Sequence, residues 1–309
     1  MTMAINCLLL LLGFVLLVKG ADFFVDGSSG VARILRVPGV VIGLTVVAMG
    51  TSLPEASVSI TAGLAGSNGL SLGNVIGSNI FNLMVVACLC ALLMDFVPDK
   101  ELMVRDFPVC IGASALLAVF LWDDVLARWE GAVMLALMAG YIAVTVVQAL
   151  DARTPEEQEK VSLPRCVLFI LGGMVAIIWG GELVVDSASA IAAALGLSQT
   201  LIGLTIVAVG TSLPELATSI VAARKGESGL ALGNAVGSCI FNILFILGAS
   251  SALSPMENAR ALLPDCLLMT ILTAALFLWC KVKGRMTKPM GAAGLAAYLG
   301  YMAWLIVNA

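Results

Sequence analysis

Two glutamates, Glu55 and Glu215, close identical six-residue segments, GTSLPE, that lie in otherwise apolar stretches long enough to cross a membrane. A carboxylate at the centre of a bilayer costs about 2.5 to 3.5 kcal/mol on insertion scales. In membrane proteins a bound cation or a proton usually compensates such a charge. The doubled segment therefore predicts a buried site for cations or protons.

Hydroxyl groups accompany each glutamate at helical spacing. Thr51 and Ser52 precede Glu55 by four and three residues, so both hydroxyls and the carboxylate fall on one helix face. Pro54 has no amide hydrogen, which frees the carbonyl of Gly50 and loosens the turn around Thr51. A freed carbonyl is tolerated at membrane depth where it faces a cavity or an ion. The second copy repeats this pattern at Gly210, Thr211, Ser212, Pro214 and Glu215.

A stripe of polar side chains follows on the next predicted helix, where Asn74, Ser78 and Asn82 are four residues apart. The second copy has the same spacing at Asn234, Ser238 and Asn242. The first asparagine of each stripe suits either hydrogen bonding between helices or the lining of an ion path. Each half thus supplies one negative oxygen donor among neutral ones.

The set of donor atoms favours a hard cation. The chain contains no histidine, and its eight cysteines are scattered without a metal-ligand spacing. Calcium suits these donors because it takes six to eight oxygen ligands, sodium accepts similar ligands, and the rigid octahedron of magnesium fits less well. Two glutamates neutralise one divalent ion or two monovalent ions, so competition for the same charges would couple opposite movements. We find no phosphate-binding loop of the G-x-x-x-x-G-K-[ST] type, and we expect neither a nucleotide nor another cofactor.

The elements that hold these residues are predicted to be membrane-spanning helices. Hydrophobic residues make up 61% of the 309 residues and charged residues 12%, against about 25% charged in an ordinary soluble domain. A span needs about 20 residues, which leaves room for roughly ten spans and no sizeable soluble domain. The apolar runs predict ten helices, at residues 4–33, 40–64, 70–93, 106–122, 129–149, 164–193, 200–223, 230–252, 262–281 and 289–308. We interpret the first as a span and not as a cleavable signal, and it and the sixth are long for a single crossing.

Basic residues are distributed unevenly over the predicted loops. Thirteen of them fall in odd-numbered loops, and only Arg128 and Arg260 fall in even-numbered ones. The positive-inside rule then predicts that odd-numbered loops are cytoplasmic and that both termini are external. The charged segment from Asp151 to Arg165 becomes a cytoplasmic loop at the centre of the chain.

An internal repeat organises the chain, because a shift of 160 residues lays residues 42–82 onto 202–242 without a gap. Five predicted helices separate equivalent points. An odd number of crossings makes the second copy enter from the opposite side, so the halves are inverted repeats about an axis in the membrane plane. The predicted organisation is a first five-helix repeat at 1–149, a cytoplasmic linker at 150–163 and a second, inverted repeat at 164–309.

The paired segments GTSLPE, with GNVIGSNIFN and GNAVGSCIFN, resemble the two alpha-repeats of the calcium/cation antiporter superfamily, in particular of prokaryotic sodium/calcium exchangers. The resemblance covers the whole ten-helix plan. It implies an all-α membrane fold of ten helices as 5+5 inverted-topology repeats, in which the long first and sixth helices slide past the second, third, seventh and eighth. The ion ligands that it implies are the carbonyls of Ala48 and Ala208 and the side chains of Thr51, Ser52, Glu55, Ser78, Asn82, Thr211, Ser212, Glu215, Ser238 and Asn242.

Two positions depart from a fully matched pattern. Some members of the family have an aspartate where this chain has Asn242, so the site here holds two formal negative charges instead of three. That difference weakens any case for potassium co-transport. Cys239 stands where the first half has Asn79, beside the polar stripe, and we expect it to have little direct effect on ion binding.

Glycines and aspartates near these segments have structural interpretations. The pairs Gly73 with Gly77 and Gly233 with Gly237 have the G-x-x-x-G spacing of helix-packing surfaces. The carboxylates of Asp26 and Asp186 are predicted toward opposite ends of their spans. A solvated or helix-end role is favoured there over a part in ion access.

We therefore expect a secondary active antiporter of the inner (plasma) membrane, not an enzyme, that exchanges calcium for sodium by alternating access. A calcium/proton antiporter that uses the same two glutamates is the alternative, although protons would not need the neutral donors. An intramembrane protease would need a paired nucleophile and base or paired aspartates, and a passive channel would not respond to a counter-ion gradient. The expected partners are calcium and sodium ions and the lipid bilayer, with no nucleic acid and no obligatory protein partner.

Overall fold

The computed structural model describes residues 3–151, 162–196, 206 and 208–308. These residues are almost entirely helical, as the composition and the apolar runs predict. In chain order the helices are α1 (Met3–Leu35), α2 (Gly39–Thr51), α3 (Leu53–Leu64), α4 (Asn68–Leu93), α5 (Leu102–Asp123), α6 (Arg128–Asp151), α7 (Leu163–Ala194), α8 (Ala208–Gly210), α9 (Leu213–Arg224), α10 (Ser228–Leu253), α11 (Ala259–Lys283) and α12 (Lys288–Asn308).

These helices follow the predicted spans closely. Among the described residues, eight single helices are long and apolar enough to cross a membrane, and α2 with α3 forms a ninth, bent span. The predicted seventh span at 200–223 is described in part, as α8 and α9, because residues 200–205 and 207 lie outside the described residues. Most of the predicted linker at 150–163 lies outside them as well. The ten-helix plan is consistent with what is described.

Each GTSLPE segment interrupts its helix at the serine. Ser52 has a backbone that departs from α-helical values (φ −84°, ψ 10°), and Ser212 has nearly the same one (φ −92°, ψ 6°). Pro54 and Pro214 stand in the first turn of the helix that follows, where their missing amide hydrogen breaks the helical ladder. As a result, α2 and α3 meet at an angle of 52°.

The most buried helices are α4 and α10. In their apolar windows 83% and 94% of the residues are buried, against 50% or less in the other single spans, so these two helices form the core. Each changes to a wider π-helical turn at the same repeat position, Asn82–Ala87 and Asn242–Leu247. Such turns are rare and occur often at functional sites.

The long helices α1 and α7 pack against each other along an antiparallel glycine seam. A Cβ atom added to Gly20 would lie 2.9 Å from the carbonyl oxygen of Gly173, and one added to Gly13 would lie 2.9 Å from that of Gly180. Only glycine allows the two backbones to come this close. The shift of 160 residues maps each of these contacts onto the other, as a two-fold axis between inverted halves requires.

A second glycine seam joins α10 to α2. A Cβ atom on Gly233 would lie 2.7 Å from the carbonyl oxygen of Val40, and one on Gly237 would lie 2.7 Å from Cα of Leu44. The predicted packing role of this G-x-x-x-G pair is therefore confirmed. Close contact here holds α10 against the helix that carries the first GTSLPE segment.

The equivalent pair in the first half, Gly73 and Gly77, differs within the described residues. A Cβ atom on Gly73 would meet only Leu262, at 3.8 Å, and one on Gly77 would meet no atom within 4 Å. The residues that correspond to Val40 and Leu44 in the repeat, Thr200 and Leu204, lie outside the described residues. Their packing role stays a prediction.

Short β-pairings, which the sequence did not predict, join pairs of loops that are either both even-numbered or both odd-numbered. β1 (Val125–Leu126) pairs antiparallel with β2 (Met256–Glu257), and Phe96 bridges Met286. The first pairing joins the fourth and eighth loops of the ten-helix plan, and the second joins the third and ninth. Even-numbered loops thus contact even-numbered loops, and odd-numbered loops contact odd-numbered ones.

Candidate cation site

The predicted ligands lie in the protein interior, where the broken helices meet α4 and α10. The side chains of Glu55 and Glu215 are completely buried, and neither forms an ion pair among the described residues. Thr211 is half-buried between α8 and α9, and Ala208 begins α8. Buried with the two glutamates are Ala48, Thr51, Ser52, Ser78, Asn82, Ser212, Ser238 and Asn242.

Each glutamate accepts a hydrogen bond from a serine of the opposite half. The Ser52 hydroxyl donates to Oε1 of Glu215 at 2.8 Å, and the Ser212 hydroxyl donates to Oε1 of Glu55 at 3.0 Å. Helical spacing alone places Ser52 beside Glu55, so the structure differs from the pairing that spacing suggests. Because the GTSLPE segments belong to inverted halves, they meet at the axis between the halves. The serine of each segment then donates a hydrogen bond to the glutamate of the other segment. One compact cluster results from two distant segments.

The Ser238 hydroxyl brings a third helix into this cluster. Its oxygen lies 3.3 Å from Oε1 of Glu215 and 3.4 Å from the carbonyl oxygen of Ala48. A serine hydroxyl has one hydrogen, so it can donate to only one of these acceptors at a time. Two of the predicted ligands from α10 and α2 are thus within hydrogen-bond reach of each other.

The first asparagine of each polar stripe ties helices together. Asn234 accepts a hydrogen bond from the Thr51 hydroxyl at 3.0 Å and donates through Nδ2 to the Ser219 hydroxyl at 2.9 Å. Hydrogen bonding between helices is therefore the role that the structure shows for these asparagines. The serine partners were missed in the sequence, although the repeat contains them at equivalent positions. Asn74 makes the equivalent contacts: its Oδ1 accepts a hydrogen bond from the Thr211 hydroxyl at 3.4 Å, and its Nδ2 donates to the Ser59 hydroxyl at 2.9 Å.

Asn79, which the sequence places beside the polar stripe, contacts one of the predicted ligands directly. Its Nδ2 donates to the carbonyl oxygen of Cys239 at 3.1 Å, and its Oδ1 accepts a hydrogen bond from Nδ2 of Asn242 at 3.0 Å. In the second half Cys239 stands in place of this amide, and its thiol lies 3.7 Å from the carbonyl oxygen of Asn79. The substitution thus changes the surroundings of one predicted ligand and not of the other.

Several oxygen atoms of the predicted ligands are buried without a hydrogen-bond partner in the described part of the chain. Buried polar atoms nearly always have a partner, so a group of exceptions requires an explanation. Oxygen atoms left available in this way are the ligands that a hard cation needs. They are Glu55 Oε2, Ser78 Oγ, Asn82 Oδ1, Glu215 Oε2 and Asn242 Oδ1.

The donor set excludes a site built from acidic or thiolate side chains alone. Residues 3–151, 162–196, 206 and 208–308 contain no group of three or more His, Cys, Asp or Glu side chains that could hold a metal ion. A cation bound here would therefore use hydroxyl, amide and carbonyl oxygens besides the two carboxylates. Such oxygens favour hard cations over transition metals.

Asp26 lies away from this cluster. Its carboxylate is exposed and pairs with Lys225 at 2.8 Å, and the same lysine lies 3.4 Å from the carboxylate of Asp22. The exposed carboxylate agrees with the solvated role predicted for Asp26. The ion pairs also join α1 to the end of α9.

Comparison with known proteins finds close similarity along the whole chain. A family model described as sodium/calcium exchanger protein matches residues 5–147 and 166–307. The putative antiporter CaxA of Alkalimonas amylolytica is 38% identical over 97% of this chain and 98% of its own length. The inner membrane protein YrbG of Escherichia coli (strain K12) is 35% identical over 96% and 94%. A solved structure of the sodium-calcium exchanger NCX_Mj superposes with a TM-score of 0.87, at 34% identity, over 98% of this chain and all of the other.

Proposed function

This chain belongs to the sodium/calcium exchanger family of membrane cation antiporters, and from that premise we propose that it moves calcium against sodium across the inner (plasma) membrane. The observation that supports this most directly is the reciprocal bonding of Ser52 with Glu215 and of Ser212 with Glu55. A site composed equally of two inverted halves presents the same donors toward either side. That is the property that alternating access needs.

The proposed exchange depends on competition for two carboxylates. Glu55 and Glu215 together neutralise one calcium ion, and the same charges neutralise two sodium ions. Serine and threonine hydroxyls that now donate to carboxylates or amides would turn their lone pairs toward the bound cation. The proposed ligands are the Ala48 and Ala208 carbonyls with Thr51, Ser52, Glu55, Ser78, Asn82, Thr211, Ser212, Glu215, Ser238 and Asn242.

The α1 and α7 pair is the proposed moving part. The glycine seam makes these two helices one packed unit, whereas α2, α3, α4, α8, α9 and α10 carry or flank the proposed ligands. Phe24 of α1 and Met174 of α7 both lie against Gly50, one residue before Thr51 at the helix break. Movement of the pair would therefore act first on the segment that carries the ligands.

Sodium is the proposed counter-ion because of the neutral donors around each glutamate. Hydroxyl, amide and carbonyl oxygens are ligands for sodium, and a proton exchanging on a carboxylate does not need them. The second candidate is a calcium/proton antiporter, in which both glutamates take protons in turn. The complete burial of both carboxylates is compatible with either ion.

Calcium uptake into proteoliposomes distinguishes these candidates. Purified protein would be reconstituted, and uptake of radioactive calcium would be measured with an outward sodium gradient, with an outward proton gradient and with neither. We expect rapid uptake with the sodium gradient alone. Uptake driven only by the proton gradient would replace sodium by protons in the proposal, and equal uptake in all three conditions would indicate a channel.

The proposed orientation places both termini outside and the odd-numbered loops in the cytoplasm. Thirteen basic residues in those loops, against two in the even-numbered ones, support it. The Lys225 ion pairs would then lie on the cytoplasmic side, at the end of α9. We also propose that the chain comprises a first repeat at 1–149, a linker at 150–163 and a second repeat at 164–309.

Removal of either reciprocal hydroxyl should weaken calcium binding to a similar extent. We expect Ser52→Ala and Ser212→Ala each to raise the Kd for calcium by about tenfold, or about 1.4 kcal/mol, because each variant lacks a hydroxyl oxygen that is a proposed ligand of the bound cation. The equality follows from the two-fold relation of the two contacts. Isothermal titration of the detergent-solubilised protein with calcium would measure both constants.

A matched control for these variants is Ser251→Ala. Ser251 is a buried serine of α10 whose hydroxyl donates within its own helix, to the Leu247 carbonyl at 2.7 Å. Its replacement should leave the Kd for calcium unchanged. A large loss in only one of the two site variants would contradict the reciprocal arrangement.

A further inference from the structure

Several contacts between the two halves occur in symmetric pairs, but the contact between Asn242 and Asn79 does not. Ser52 with Glu215 is mirrored by Ser212 with Glu55, and the threonine contacts of Asn74 and Asn234 are mirrored in the same way. The hydrogen bond from Asn242 to Asn79 should be mirrored by one from Asn82 to residue 239. Residue 239 is a cysteine, and its thiol lies against the Asn79 carbonyl instead.

Asn79 fixes the orientation of the Asn242 amide. The Asn79 side chain is itself held, because its Nδ2 donates to the Cys239 carbonyl at 3.1 Å. Its Oδ1 is therefore directed to accept from Nδ2 of Asn242, at 3.0 Å. With its nitrogen engaged, Asn242 retains one free polar atom, the buried oxygen Oδ1. An oxygen is the atom that a hard cation binds.

Asn82, the counterpart of Asn242, has no such constraint among the described residues. Both its Oδ1 and its Nδ2 are buried without a hydrogen-bond partner. An asparagine side chain presents an acceptor at one end and donors at the other. Without a partner for its nitrogen, Asn82 can present either end to the interior.

We propose that Asn79 is a positioning residue for the cation site, which holds Asn242 Oδ1 ready as a ligand, and that Cys239 leaves Asn82 unpositioned. The inference rests on the proposed function, because it concerns affinity for the ions exchanged. A cation that uses Asn242 finds its ligand already oriented, whereas a cation that uses Asn82 must first orient the amide. The residues at positions 79 and 239 then give the two halves of the site different affinities for a cation.

The competing interpretation is that Asn79 only ties α4 to α10. Its bond to the Cys239 carbonyl would then stabilise the core, and loss of the amide would lower the melting temperature without a specific effect on ion binding. The second half offers a direct comparison, because exchanging residues 79 and 239 moves the amide from one half to the other. A structural tie predicts no gain of affinity from an amide at position 239.

The test uses Asn79→Cys, Cys239→Asn, the double exchange of both, and Cys239→Ser as a control that introduces no amide. Calcium Kd by isothermal titration, the KM and maximal rate of calcium exchange, and the melting temperature would be measured for each. We expect Asn79→Cys to raise Kd and KM about fivefold with the maximal rate retained, the size of one neutral hydrogen bond. Cys239→Asn should lower Kd below that of Cys239→Ser, and the double exchange should return Kd toward that of the parent chain.

Several outcomes would overturn the positioning role. One is a lower melting temperature for Asn79→Cys with an unchanged Kd, and another is a Cys239→Asn Kd no lower than that of Cys239→Ser. If Cys239→Asn does not fold, Asn79→Cys alone decides the question. A raised Kd supports the positioning role, and an unchanged Kd with a lower melting temperature overturns it. A parent chain that binds no calcium would instead refute the proposed function, so the two failures are distinguishable.

Discussion

Replacement of either buried glutamate by glutamine is expected to abolish calcium exchange while the protein still folds. Glu55→Gln or Glu215→Gln leaves one carboxylate to neutralise a divalent ion, so one positive charge remains uncompensated in the interior. An uncompensated buried charge costs several kcal/mol, which corresponds to a loss of about a thousandfold or more in affinity. Glutamine has nearly the same volume and can still accept the serine hydrogen bond, so the fold should persist. Calcium uptake into proteoliposomes and the melting temperature without calcium would test both parts.

Glu130→Gln is the matched control for this experiment. Glu130 is also buried, but it lies at the start of α6, where its Oε2 accepts a hydrogen bond from the Ala127 amide at 2.7 Å. We expect normal calcium uptake from this variant. Normal uptake from either Glu55→Gln or Glu215→Gln would refute the assignment of the site.

Gly237→Val is expected to destabilise the protein strongly and to remove exchange activity. The added Cβ would lie 2.7 Å from Cα and 2.9 Å from the carbonyl oxygen of Leu44, so α10 and α2 would have to separate. Overpacking costs about 1 to 3 kcal/mol, and a clash with backbone cannot be relieved by a change of rotamer. Separation would also move the Ala48 carbonyl away from Ser238. Thermal unfolding followed by fluorescence, together with calcium uptake, would measure the effect.

Gly112→Val is the control for this variant, because it measures the loss of stability that a valine causes in a helix where the side chain meets no clash. Gly112 lies in α5 and lines an apolar cavity of about 430 Å³ between α5 and α6. No described atom lies within 4 Å of the position that its Cβ would occupy. We expect this variant to retain uptake and nearly all of its thermal stability. Equal destabilisation of the two variants would show that the α2 and α10 contact is not special.

The fold could be predicted from the sequence because its signals are local or periodic. Long apolar runs mark helices, and the exact repeat of GTSLPE marks inversion once an odd number of helices separates the copies. Pro54 and Pro214 indicated the breaks in the helices for the same reason, since a missing amide hydrogen acts within one turn. The short β1 and β2 pairing was not predictable, because each strand is two residues long and its partner lies more than 100 residues away.

The residues of the candidate site could be predicted from the sequence, but their partners could not. Helical spacing tells which side chains can share a face, and it predicted Ser52 and Glu55 on one helix surface. It does not tell which element packs against that face, and the inverted half supplies Glu215 there. The contact of Asn79 with Asn242 was not predicted for the same reason, because it crosses between helices of different halves.

The reciprocal bonds of the serines and glutamates have a consequence for the origin of the molecule. Neither five-helix half holds a complete cluster, since each supplies the hydroxyl that the other half's carboxylate uses. A gene that encoded one half alone would give this cluster only if two copies of its product entered the membrane in opposite orientations and paired. Duplication and fusion of such a gene would then make permanent an arrangement that had been an antiparallel homodimer. After fusion, one copy could change without the other, and in this chain positions 79 and 239 hold different residues, an asparagine and a cysteine.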